Sequence, residues 1–266
     1  MKIFISVDAE GISGIVDSAQ VIPGMSNYEE GRRYITEDIN ACVRGCIDGG
    51  ATEVIVADRH YQGRNVMWHE LDENASYFVG RTEDSPNGRM PEIESCDGVI
   101  LLGYHAMAGT GKAVLEHTWS AEEWQNFWIN GNHSGEIALD MGLAADLDVP
   151  TIMVSGDNKA CDEARALVPN IVTAQVKESV SLYGAKLLSM AAAHKLIRAK
   201  AAEAVQKCKE IKPIHVAKPV TIRLECVERQ ANFNAIDKPY MTIIDTRTFE
   251  VVGDDMRQAF YRLERM

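Results

Sequence analysis

Along the chain, short continuous apolar runs alternate with longer stretches in which apolar residues recur every three or four positions. The first pattern predicts buried strands and the second predicts amphipathic helices. Lys2–Val7 reads as a strand. Tyr28–Asp48 reads as a helix with Ile35, Ile39, Cys42, Val43, Cys46 and Ile47 on one stripe, stopped by Gly49-Gly50. Glu53–Ala57 and Gly98–Gly103 are the next strands, separated by an irregular polar excursion from Tyr61 to about Pro91. Phe127–Asn130 follows as a short strand, then a helix from Ser134 to about Leu147. Strand Thr151–Ser155, a helix near Asn158–Leu167 and strand Ile171–Val176 continue the rhythm. The Ala-, Lys- and Leu-rich stretch Ser179–Glu210 predicts one long helix.

Alternation of this kind predicts an α/β fold, a mostly parallel sheet with helices on both faces. After Pro213 the texture changes. Val220–Val227, Tyr240–Ile244 and Thr248–Val252 read as strands without crossover helices, closed by a helix from about Asp254. The expected organisation is an α/β domain over residues 1–209 and a smaller α+β part over residues 210–266. No internal repeat or low-complexity tract interrupts it.

Charge and composition narrow the function. Thirty-nine acidic against 27 basic residues give a net charge of −12, the wrong sign for a nucleic-acid binder. No apolar run approaches the roughly 18 residues of a membrane span, so no membrane partner is expected. The apolar start is cut short by Asp8, which favours a first strand over a signal peptide. Six scattered cysteines without a Cys-x-x-Cys pair read as reduced thiols of a cytoplasmic protein.

In an open α/β sheet, ligands bind beyond the carboxyl ends of the strands. Those ends carry Asp8 and Glu10, Asp58-Arg59-His60, Tyr104-His105, the turn leading to Glu136, and Gly156-Asp157. Positions two apart in extended chain point the same way, so Asp8 and Glu10 can face one site. A single Asp after a strand is usually a cap or turn former, and Asp58 and Asp157 fit that plain role. Jointly the set is harder to dismiss. Three carboxylates and two imidazoles on one sheet edge would repel and desolvate one another without a cation. Mixed oxygen and nitrogen donors suit zinc, with Mn, Fe or Co possible.

Other motifs fail. Gly109-Thr110-Gly111-Lys112 lacks the first glycine and the Ser or Thr of a phosphate-binding loop, because Ala106 and Ala113 stand there. His69-Glu70 has no second histidine at zinc-helix spacing, and no Gly-x-Ser-x-Gly elbow exists. His69, His194 and His215 read as packing or surface residues, and His133 as a turn residue near Glu136. Trp119, Trp124 and Trp128 read as packing or pocket aromatics.

Taken together, the blocks resemble the DppA-type family of D-aminopeptidases, dinuclear zinc peptidases. The resemblance rests on Ser6-Val7-Asp8-Ala9-Glu10-Gly11-Ile12-Ser13-Gly14, Asp58-Arg59-His60 and Leu102-Gly103-Tyr104-His105-Ala106. It continues through His117-Thr118, Ile129-Asn130-Gly131 leading to Gly135-Glu136, and Val154-Ser155-Gly156-Asp157. These span residues 1 to about 165; the C-terminal hundred residues resemble the family only loosely. The Gly-rich stretch before His117 and the segment Asn132-His133-Ser134 depart from the family's pattern.

The resemblance implies two zinc ions per subunit. Asp8 would bridge them, with Glu10 and His60 completing one and His105 and Glu136 the other, and His117 would be catalytic. It implies hydrolysis of short peptides with an N-terminal D-residue, such as D-Ala-D-Ala, by a metal-bound hydroxide. It also implies a homo-oligomeric ring, a decamer. Two competing readings remain: a metal-dependent amidohydrolase for other substrates, and a silent binding or assembly protein.

Overall fold

The computed structural model describes residues 1–82, 88–229 and 238–265. Seven strands form the first sheet. They are β1 (Lys2–Val7), β2 (Glu53–Asp58), β3 (Ser76–Phe78), β4 (Gly98–Tyr104), β7 (Thr151–Asp157), β8 (Val172–Ser181) and β9 (Gly184–Leu187). Their order is β3-β2-β1-β4-β7-β8-β9, parallel throughout except for the β8–β9 hairpin. β4 and β7 are buried at every position, as continuous apolar runs in a covered parallel sheet must be. The chain moves outward in one direction from β1 through β2 to β3, then in the other from β4 through β7 to β8. The crevice where this order reverses lies at the carboxyl ends of β1 and β4.

Two strands, β5 (Trp124–Ile129) and β6 (Asn132–His133), belong elsewhere. They join β10 (Val220–Cys226), β11 (Met241–Ile243) and β12 (Thr248–Gly253) in an antiparallel sheet ordered β11-β12-β10-β5-β6. The segment Phe127–Asn130 therefore does not extend the parallel sheet, contrary to the reading from alternation. Apolar runs of this length look alike in either setting. Strands from both sides of residue 209 hydrogen-bond to one another here, Ile222 opposite Ile129 and Leu224 opposite Phe127.

Helices α1 (Tyr28–Asp48), α3 (Asn158–Leu167) and α4 (Met190–Gln206) accompany the parallel sheet. The predicted α1 stripe is buried except for Ile47, which is exposed. The long helix expected from Ser179 begins only at Met190. Residues 172–181 alternate inward and outward as a strand, turn at Leu182-Tyr183, and return as β9 before Ser189 caps α4 by accepting from the Ala192 N–H. The helical composition of 190–206 hid the strand before it. The polar excursion contributes the short edge strand β3; residues 83–87 within it lie outside the described residues.

Helix α2 (Glu136–Ala145) sits between two cores. Ile137, Met141 and Ala144 pack into the core of the parallel sheet, while Ala138, Leu139 and Leu143 pack against β5, β10 and α5 (Met256–Glu264). Every residue from Glu136 to Ala144 is buried, which accounts for a helix apolar on all sides.

The contact of α1 with α4 needs a glycine. A Cβ on Gly45 would lie 2.3 Å from the Arg198 carbonyl oxygen and 2.8 Å from the Ala201 Cβ. Gly45→Ala would favour an isolated helix by about 1 kcal/mol, but overpacking here costs about 1–3 kcal/mol. The expected net result is a lower urea midpoint with unchanged m-value.

Candidate metal centre

The crevice at β1 and β4 gathers two trios of side chains. Asp8, Glu10 and His60 form one, and His105, His117 and Glu136 the other; within each, one donor atom per residue lies within 4.8 Å of the others. Asp8 follows β1, His60 follows β2 and His105 follows β4, as the strand-end reading expected. Glu136 arrives differently, as the first residue of α2. Glu10 lies in a turn rather than in extended chain. Close packing sets that turn, because a Cβ on Gly11 would fall 1.9 Å from the Tyr104 carbonyl oxygen.

Asp8 touches both trios. Its Oδ1 is 3.2 Å from His60 Nδ1, and its Oδ2 is 3.3 Å from His105 Nε2. His60 Nδ1 is also 3.4 Å from Glu10 Oε2, and His105 Nε2 is 3.2 Å from Glu136 Oε1. His117 stacks on His105 at 4.1 Å between ring centroids, with Nε2 3.8 Å from Glu136 Oε1.

The second nitrogen of each imidazole is committed to a backbone carbonyl. His60 Nε2 donates to Val21 O at 2.9 Å, His105 Nδ1 to Ala106 O at 3.0 Å, and His117 Nδ1 to Leu115 O at 2.9 Å. A neutral imidazole pinned this way turns its lone pair toward the crevice, the orientation of a metal ligand. Lone pairs on nitrogen then face lone pairs on carboxylate. Asp8 Oδ2, Glu10 Oε2 and His105 Nε2 are buried and complete no hydrogen bond. A divalent cation in each trio would satisfy them, and the mixed oxygen and nitrogen donors fit zinc.

Burial by itself would raise the Asp8 carboxyl, but His105 and His60 outweigh it and hold it well below the ordinary carboxylate range. Glu136 is likewise pushed up by burial and drawn down by His105, to about 2. Burial disfavours the charged imidazoles, yet the facing carboxylates raise His60 and His105 well above their usual value.

A second network fixes Glu136. Arg89 places Nη2 3.2 Å from Glu136 Oε2 and binds Asp140 through Nε at 2.5 Å and Nη2 at 3.0 Å. The Tyr104 hydroxyl donates to Asp140, and the Trp119 N–H donates to Glu136 Oε1 at 2.8 Å. The Arg89 guanidinium also lies 4.5 Å from the centre of the Trp119 ring. Sequence reasoning missed Arg89, which lies in the polar excursion with no periodic signal around it. Asp140 did carry one: an acid four residues after Glu136 on an otherwise apolar helix shares its face.

Other candidates take the plain roles expected of them. Asp58 accepts from the Asn65 N–H at 2.6 Å, and Asp157 caps α3 by accepting from the Ala160 N–H at 2.8 Å. His133 is exposed beside the Trp128 ring, and His69 is exposed. His194 lies 3.3 Å from Asp38. Trp119 and Trp124 stack on one another beside Phe127.

Comparison with known proteins places the chain in a family. Residues 1–264 match the family model Peptidase_M55, described as D-aminopeptidase. A D-aminopeptidase of Bacillus subtilis (strain 168) is 38% identical over 218 residues, 80% of this chain and 77% of the relative. A solved structure described as the Zn-dependent D-aminopeptidase DppA from Bacillus subtilis, a self-compartmentalizing protease, matches with a TM-score of 0.92 and 34% identity. That match covers 100% of this chain and 96% of the other.

The carboxylate–imidazole contacts generate a pH signature. His60 and His105 are raised in the folded state, so their stabilising effect is complete below the unfolded value of about 6.5 and is lost as pH rises through the folded values. Asp8 and Glu136 are lowered, so theirs is present above about pH 4 and lost on acidification. Chelator-treated protein should therefore show its highest urea midpoint between those limits and lose stability above pH 6.5. Added zinc should restore it, with protons released on binding at pH 7 by calorimetry in buffers of different ionisation enthalpy. A pH-independent midpoint from 6.5 to 9 in the stripped protein would contradict this.

Proposed function

The chain belongs to the D-aminopeptidase family, and we propose that it is a zinc-dependent D-aminopeptidase with two metal ions held by Asp8, Glu10, His60, His105 and Glu136. The single observation that carries this reading is the set of buried donors without hydrogen bonds: Asp8 Oδ2 and His105 Nε2, 3.3 Å apart in one half of the crevice, and Glu10 Oε2, 3.4 Å from His60 Nδ1 in the other. Asp8, touching both trios, would be shared between the two ions; Glu10 and His60 would complete one site, His105 and Glu136 the other. Zinc bound there supplies Lewis acidity toward a peptide carbonyl and lowers the pKa of a water toward neutrality. Mn, Fe or Co would suit the same donors.

The protein's own groups do the rest. Val21, Ala106 and Leu115 carbonyls fix the tautomer of each imidazole. Arg89 and the Trp119 N–H hold Glu136 ionised and in place. His117 is the catalytic residue. With its Nδ1–H spent on Leu115 O, it accepts a proton at Nε2 when neutral and donates from that atom when protonated. In the protonated form it hydrogen-bonds the developing oxyanion or passes its proton to the leaving amine.

The substrates are short peptides with an N-terminal D-residue, D-Ala-D-Ala among them. Chains assemble as a closed homo-oligomeric ring, a decamer. The self-compartmentalizing neighbour supports an enclosed assembly, and the β8–β9 hairpin, with Val180 57% and Tyr183 63% exposed beside Leu182, Leu187 and Leu188, offers an apolar surface for it. A cytoplasmic location accords with six buried cysteines outside any disulfide. Among the described residues no helix is long and apolar enough to cross a membrane.

The decisive assay compares D-Ala-D-Ala with L-Ala-L-Ala, each with chelator and with zinc added back. Cleavage of the D-dipeptide alone, abolished by chelator and restored by zinc, is expected. Bound metal without cleavage of either would transfer the site to another amidohydrolase substrate. His60→Ala and His105→Ala should lose activity and metal together, whereas His117→Ala should lose about 10²–10⁴-fold in kcat, the usual contribution of a proton-transfer residue, and keep both metals. A His117→Ala protein that lost a metal would make His117 a ligand instead.

A further inference from the structure

We propose that Lys177 is a positioning residue for the acidic half of the centre: its buried ammonium shapes the loop after β1 so that Asp8 and Glu10 face His60 ready for a cation. The proposal rests on the metal-site reading above. Lys177 is 2% exposed and lies on β8, paired with Asp157 across the sheet. Its Nζ lies 2.6 Å from Glu10 O, 2.9 Å from Ile12 O and 2.6 Å from Ile15 O. An ammonium has three donors, and all three are spent on one loop.

That loop has an unusual problem to solve. Residues from Ala9 to Ile15 are buried apart from Gly14, yet they form neither strand nor helix. Their N–H groups find local partners: Gly11 N donates to Gly103 O at 2.8 Å, Ile12 N to Ala9 O at 3.1 Å and Ile15 N to Ile12 O at 3.2 Å. Ser13 N and Oγ both donate to Asp38, at 2.8 and 2.6 Å. The carbonyls of Glu10 and Ile15 would be left without partners in the interior, each costing about 1–3 kcal/mol. A neutral side chain could satisfy one or two. The ammonium draws three to a single point, and that convergence fixes the curvature that brings Glu10 back beside Asp8.

Burying a charge among neutral carbonyls is costly, and nothing about packing requires it. Among the described residues no carboxylate oxygen is bonded to the ammonium, so Lys177 is not half of an ordinary ion pair there. The same strand also braces the other trio. Ser179 Oγ donates to Asp157 at 2.7 Å, and Asp157 accepts from the Val114 N–H. Leu182 O accepts from the N–H of Leu115, whose carbonyl holds His117. Lys177 is the member of this strand that reaches the acidic side.

The test uses chelator-stripped wild type, Lys177→Met and Lys177→Arg, each titrated with zinc by calorimetry and with cobalt by visible absorption. The wild type should take up two ions per chain. Lys177→Met should take up one with little change and the second at least tenfold more weakly, with an altered cobalt spectrum. Its kcat should recover toward wild type at saturating zinc with an unchanged KM, which a general loss of structure would not allow. Lys177→Arg keeps the charge but cannot aim three donors at one point, and should fall between; it carries the test alone if the Met variant does not fold. A folded Lys177→Met, or failing that a Lys177→Arg, that binds both ions with wild-type affinity and spectrum overturns the proposal. A wild type that binds no metal overturns the metal-site reading, and this inference with it.

Discussion

Asp8 stands between His60 and His105 with one oxygen facing each; Asp8 and His105 are buried, and His60 keeps only a small part of its ring in water. With Glu10 and Glu136 alongside, the crevice concentrates negative charge that burial should neutralise. The fold suppresses that outcome by setting His60 and His105 against the carboxylates and by backing Glu136 with a buried arginine. Much of the architecture around the crevice follows from this one conflict. Groups that attract a cation must be held close together before it arrives, so each needs a support that does not itself occupy the site.

Those supports come from every direction. The parallel sheet delivers Asp8, His60 and His105 from neighbouring strand ends, the turn after β1 adds Glu10, and α2 brings Glu136 from between two cores. Arg89 reaches in from the excursion after β2, bridging Glu136 and Asp140, while the Tyr104 hydroxyl closes the network behind them. Lys177 and Asp38 grip the loop after β1 from opposite elements. Removing Arg89 would take the guanidinium from two buried carboxylates, a larger perturbation than losing a surface ion pair.

The parallel sheet and the strand-end placement of Asp8, His60 and His105 were legible in the sequence, because buried apolar runs and the residues directly after them occupy adjacent positions. Glu136 was found for a partly mistaken reason. The strand before it pairs with the antiparallel sheet, and a short apolar run does not record which sheet will take it. The β8–β9 hairpin was hidden because residues 182–189 lead straight into a strongly helical composition, and a strand that ends there looks like the first turns of that helix. Arg89 and Lys177 were invisible for a common reason. Their roles depend on contacts spanning tens to more than a hundred residues, and neither the arginine's flanks nor the lysine's strand pattern sets them apart from surface residues.

The position of α2 has a consequence for the order in which the protein can be completed. Leu139 and Leu143 pack against side chains from β10 and α5, which lie a hundred residues further along the chain. While the nascent chain is still emerging from the ribosome, β1, β2 and β4 can already pair, but one side of α2 has nothing to cover it until residues 220–264 have been made. Glu136 is therefore seated late, and the two trios can come together only after residues 220–264 are in place.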